Sequence, residues 1–119
     1  MALTQISSAH VDHTLAALAE PTRRGVIDLL RERPRPAGEL AAACSVSPPA
    51  MSRHLRVLRT HGLVEEARGD PKDSRLRIYR LRREPFADLR AWLDQVEAFW
   101  NHQLGAFKEH AERTRKGKH

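Results

Sequence analysis

With a single cysteine, Cys44, in 119 residues, no disulfide can form within the chain, which suits a reducing compartment. Apolar residues never run on toward the ~20 that a membrane span requires, so no membrane partner is expected. The opening M-A-L-T-Q-I-S-S-A-H lacks the basic flank and apolar stretch of a signal peptide, and a cytoplasmic location is expected. Glycine is scattered, with no phosphate-cradling loop, and no nucleophile is placed beside a base. Neither an enzyme nor a cofactor is therefore expected. Acidic residues are outnumbered, 15 Asp and Glu against 21 Lys and Arg, for a formal charge of +6. Such an excess points to a polyanionic partner, most often nucleic acid.

Ser45 to Gly62 organises what is present. Ser47 can cap a helix, Pro48 fits its first position and Gly62 its end. Met51, Leu55 and Leu58 fall on one face at helical spacing, leaving Pro48, Pro49, Ser52, Arg53, Arg56 and Arg59 on the other.

Before it, Val11, Leu15 and Leu18 predict a helix starting near His10, with residues 1–9 loose. Pro21 opens a second helix with Val26, Ile27 and Leu30 as its buried stripe and Arg23, Arg24 and Arg31 on wetter faces. Pro34 and Pro36 stop it, and a short third helix spans about Ala37 to Cys44. Two short helices joined by a tight turn, the second capped and basic, describe a helix-turn-helix.

Leu63–Ala67 and the alternating Arg75–Leu81 predict a hairpin around the turn cluster Gly69–Ser74. Its inward face is assigned to Leu76, Ile78 and Leu81, and its outward face to Arg75, Arg77 and Arg80. A wing so placed can touch phosphates. Pro85 opens a last helix to about Glu112, and a basic tail, 113–119, reads as disordered. Leu89, Trp92, Leu93, Val96, Phe99, Trp100, Leu104 and Phe107 form a broad apolar stripe on that helix, read as a homodimer face shared with Leu15 of the first helix. The expected class is mainly α with a small β-hairpin: a winged helix-turn-helix ordered α-α-α-α-β-β-α over residues 10–112, dimerising through its first and last helices.

Several strings resemble the ArsR family of winged-helix bacterial repressors. They are L-A-E-P-T-R-R-G-V-I-D-L-L (Leu18–Leu30), G-E-L-A (Gly38–Ala41), V-S-P-P-A-M-S-R-H-L-R-V-L (Val46–Leu58), H-G-L-V (His61–Val64) and F-W-N-H-Q-L (Phe99–Leu104). The resemblance implies a homodimer on a roughly palindromic double-stranded operator, with repression relieved by an effector, here an unknown small molecule. It does not carry over a metal. Pro36 and Gly38 stand where the family's arsenic and cadmium site has cysteines, and soft metals want thiolates. Asp94-Gln95-Val96 and His110–Arg113 break the zinc pattern, Asp-x-His followed by His-x-x-Glu. His10 and His13, three apart, could supply at most half a site. Cys44 reads as a packing residue rather than a redox switch.

The turn Asp70–Arg75 is similar instead to the wing of MarR regulators, an alternative within the same class. A winged-helix protein-interaction module is the other alternative, which the arginines on the reading face argue against. For the DNA-binding face, Pro48, Pro49, Ser52, Arg53 and Arg56 are assigned to the groove. Ser47, His54, Lys72, Arg75 and Arg77 are assigned to phosphate, with partial burial of His54 against the third helix as an equal alternative.

Overall fold

The structure, a computed structural model, describes residues 2–67 and 77–117, with side chains from 10 to 67 and from 77 to 114. The elements are α1 (Ala2–Leu18), α2 (Pro21–Leu30), β1 (Arg35–Pro36), α3 (Ala37–Ala43), α4 (Pro48–Thr60), β2 (Val64–Ala67), β3 (Ile78–Leu81) and α5 (Glu84–Gly117). Helices therefore dominate, and the wing follows α4. Two differences stand out. Strand β1 joins the hairpin as a third strand, and α1 and α5 run beyond the expected ends at His10 and Glu112. Neither extension contains a proline to stop it. The chain forms two units, residues 1–88 and the part of α5 from Leu89 onward.

The corner between α1 and α2 explains the string Leu18–Arg24. Glu20 is the N-cap of α2, its carboxylate accepting the Arg23 amide at 2.9 Å, and Pro21 takes the first position. Arg23 and Arg24 turn back to the end of α1. The Arg23 guanidinium donates to the carbonyls of Ala17 (2.6 Å) and Ala16 (3.3 Å), and Arg24 donates to that of Leu18 (2.8 Å). Cations there satisfy carbonyls left without helical partners and oppose the helix dipole. These two arginines were expected only on wetter faces, yet they fix the turn.

Both helices of the helix-turn-helix end the same way. After α3, the Ser45 amide donates to Ala42 and the Val46 amide to Ala41. After α4, the Gly62 amide donates to Arg59 and the Leu63 amide to Leu58. Each is a Schellman closure, which needs one residue in the left-handed region. Gly62 sits there at φ 77°, but the other place holds Ser45 at φ 56°. A side chain in that conformation costs about 1–2 kcal/mol, offset in part by glycine's larger unfolded-state entropy. Ser45→Gly is therefore expected to stabilise the fold by about 0.5–1 kcal/mol, and Gly62→Ala to destabilise it by about 1 kcal/mol. Urea unfolding checks both, and a shift of the same sign in the two variants would contradict this reading.

Strand order is β1-β3-β2, all antiparallel, with Arg35 opposite Tyr79 and Glu66 opposite Tyr79 from the other side. Proline is tolerated in β1 because that strand is an edge. The inward assignment on β3 needs correction: Tyr79 is the buried residue, at 7% exposure, while Ile78 and Leu81 are half-buried. Leu76 lies outside the described residues. Tyr79 joins Val26, Leu40, Met51, Leu55 and Leu58 in the core, so the sheet closes the open side of the helix-turn-helix.

Arg35 ties β1 to its neighbours. Its Nε donates to Leu29 O at 3.1 Å, Nη1 to Glu39 at 2.7 Å and Nη2 to Glu32 at 2.6 Å. The hydrogen bond from Arg35, then that from Arg33, holds the Glu39 carboxyl below its ordinary value of 4.5, against a smaller effect of burial. A depressed carboxyl stabilises the fold above that ordinary value and stops doing so as pH falls through the folded-state value. Glu39→Gln should thus lose less unfolding temperature than the wild type on acidification below pH 4.5. Parallel curves for the two proteins would contradict this.

Candidate nucleic-acid interface

Helix α4 is two-faced by construction. Met51, Leu55 and Leu58 are buried, whereas Pro48, Pro49, Ser52, Arg53, Arg56 and Arg59 are exposed. Ser47 is the cap, its Oγ accepting the Ala50 amide at 3.3 Å. At the start of α4, amide N–H groups without helical partners and the positive end of the dipole suit an anion. Arg53 and Arg56 have no ion-pair partner among the described residues. Arg56, Arg59 and Thr60 line one shallow groove on the helix surface.

His54 stands apart from that set. It is half-buried, its Nδ1 3.6 Å from Oε2 of Glu20. Burial would raise the Glu20 carboxyl, but the amides of Arg23 and Thr22 and the facing His54 together hold it below the ordinary carboxylate range. The contact braces α4 against the start of α2. Cys44 is half-buried too. Burial, then the charge of Glu20, pushes its thiol up, so it stays protonated at neutral pH and a poor nucleophile.

Of the wing residues, Lys72 and Arg75 lie outside the described residues, as does the turn Asp70–Arg75. Arg77 is exposed, and its Nη1 is 3.4 Å from Oε1 of Glu66. The same oxygen accepts from Arg59 Nη1 at 2.9 Å and from the Tyr79 hydroxyl at 3.1 Å. Glu66 thus links α4 to β3. Sequence reasoning missed it because its partners are seven to thirteen residues away and meet only once the strands pair. Beside it, Glu65 accepts from Arg80 across the strands at 2.6 Å.

A family metal does not fit here. Pro36 is the N-cap of α3 and Gly38 lies in its first turn, neither offering a ligand atom where thiolates would be needed. Exposed His10 and His13 line a cleft of about 280 Å³ with His61, whose ring centre is 5.1 Å from that of His13. Among the described residues, no group of three or more His, Cys, Asp or Glu side chains is placed to hold an ion. Nor is any described helix long and apolar enough to cross a membrane.

Of the residues assigned to a dimer face, Leu89 is half-buried and the others are exposed within the chain. Leu15 stands on the outside of α1, while Val11, Thr14 and Ala17 carry that helix's buried side. On α5, Trp92, Leu93, Val96, Phe99, Trp100, Leu104 and Phe107 are all exposed, with Phe99 at 65%, Trp100 at 60% and Phe107 at 72%.

Comparison with known proteins agrees with this geometry. A family described as "Helix-turn-helix domain" matches residues 18–67. The chain is 39% identical over 98 residues to the HTH-type transcriptional regulator Rv2034 of Mycobacterium tuberculosis, covering 82% of this chain and 85% of that one. A solved ArsR-like transcriptional regulator from Rhodococcus sp. RHA1 superposes with a TM-score of 0.70 at 29% identity, over 86% of this chain and 92% of that one. A second solved structure, the ArsR family transcriptional regulator RHA00566, gives a TM-score of 0.69 at 28% identity, over 77% and 97%. With α3 and α4 forming the helix-turn-helix, β2 and β3 the wing, and this identity and coverage, the chain belongs to the ArsR family of winged helix-turn-helix transcriptional regulators.

Proposed function

We propose that the protein is a cytoplasmic homodimeric repressor that reads a palindromic operator with the outer face of α4. The observation that carries this is the pair Arg53 and Arg56. They are exposed on the helix face opposite the core and, among the described residues, not engaged in ion pairs, whereas Arg59, Arg77 and Arg80 are all held by carboxylates. A guanidinium can meet guanine O6 and N7 together. Ser47 with the first amides of α4, and Arg77 from the wing, supply phosphate contacts. A second copy covers Phe99, Trp100, Leu104 and Phe107, because an apolar patch of this breadth is costly to leave in water. Pairing would set the two α4 helices about one DNA turn apart, ~34–36 Å.

Binding driven by phosphate neutralisation is salt-dependent. For about 6–10 contacts per dimer, affinity should fall about 10³- to 10⁵-fold between about 50 and 200 mM salt. Fluorescence anisotropy on a labelled palindromic duplex reads this, with two chains bound per duplex. A change of less than about tenfold, well short of that range, or one chain per duplex, would contradict the proposal.

A further inference from the structure

Three donors on one carboxylate oxygen is more than the fold requires. Glu66 Oε1 accepts from Arg59 in the last turn of α4, from Arg77 just before β3 and from Tyr79 within it. Tyr79 is anchored by its buried ring, so its hydroxyl fixes where the carboxylate stands. The two guanidiniums, that of Arg59 about half exposed and that of Arg77 largely so, are then gathered on that point. Arg59 shares its groove with Arg56, so the cluster borders the reading face. A negative charge there opposes DNA approach, which is a cost unless it does something else.

We infer that Glu66 sets the discrimination between operator and unrelated DNA by holding Arg59 and Arg77 in one place beside the reading face. The inference rests on the DNA-binding reading above. On unrelated DNA, affinity comes from phosphate contacts in any pose, so every loosely held cation adds to it. Held by Glu66, the two arginines meet phosphates only when α4 is seated in register. Freed, they reach phosphates in any pose. The operator complex gains little from this, because α4 already fixes where its phosphates lie.

Glu66→Gln tests the inference: it keeps an acceptor for Tyr79 and removes the charge. An operator is first selected in vitro with the wild-type protein, and both proteins are titrated on operator and on unrelated duplex across a salt series. For Glu66→Gln, affinity for unrelated DNA should rise about three- to tenfold, with a log–log salt slope steeper by about 0.9 per added phosphate contact. Operator affinity should change less, so the ratio of the two falls. Tyr79→Phe, which loses only the hydroxyl, should move the ratio the same way by a smaller factor. A structural role alone would lower the unfolding temperature and leave the slope unchanged. Unchanged slopes, an equal gain on both duplexes or a loss on both would overturn the inference. If the wild type itself shows no preference, the DNA-reading proposal fails, and this one with it.

Discussion

Replacing Arg53 and Arg56 together by alanine is expected to erase the preference for operator while leaving the fold intact. Both side chains are exposed and make no intramolecular ion pair among the described residues, and alanine is the best helix former, so stability should hold or rise slightly. Each bidentate contact to guanine discriminates by about 1–3 kcal/mol, and a dimer carries each twice. Losing four such contacts removes about 4–12 kcal/mol, comparable to the whole gap of about 4–10 kcal/mol between specific and non-specific binding. Competition titrations should therefore show operator and unrelated DNA bound within about tenfold of one another, at the weak level that phosphate contacts supply. A variant that kept its preference would place base reading elsewhere.

The second large effect concerns α5. Phe99→Glu with Trp100→Glu puts two charges into the most exposed aromatic stretch of the chain. If a second copy covers it, four aromatic side chains lose their burial per dimer. At about 1–2 kcal/mol each this is roughly 4–8 kcal/mol, a dissociation constant raised by about 10³-fold or more. Sedimentation should show the wild type as dimer and the variant as monomer. Neither substitution lies in the unit of residues 1–88, so the variant should remain folded, its unfolding midpoint lowered only by the lost linkage to dimerisation. Operator affinity should fall with dimerisation. Identical sedimentation of the two proteins would remove the second copy from the account.

How much of this was legible depended on range. The recognition helix could be read because its signals are local: Ser47 caps it, Pro48 starts it, the Met51–Leu55–Leu58 stripe buries it and Gly62 ends it. The assignment of Pro48, Pro49, Ser52, Arg53 and Arg56 to an exposed face follows from the same periodicity. Strand β1 was not legible. Arg35-Pro36 reads as a helix stop, and only pairing with β3 makes it a strand. Tyr79 was missed for a related reason: alternation placed it on the arginine side, and burial came from closing the sheet over the helices. His54 sits one residue from Arg53 in sequence but about 100° around the helix, which turns it toward Glu20. The arginines of the α1–α2 corner show the same limit, since charge in sequence does not say whether water or a helix end receives it.

Whether Arg53 and Arg56 touch guanine can be read by removing single atoms. Replacing guanine with 7-deazaguanine at one operator position deletes the N7 acceptor and leaves the base pair unchanged. Measured against both wild type and the doubly substituted Arg53→Ala, Arg56→Ala protein, the analogue completes a double-mutant cycle. The account predicts a loss of about 1–3 kcal/mol for the wild type at one guanine per half-site and almost none for the variant. Equal losses in the two proteins, or no loss at any guanine, would mean that these arginines do not read the bases.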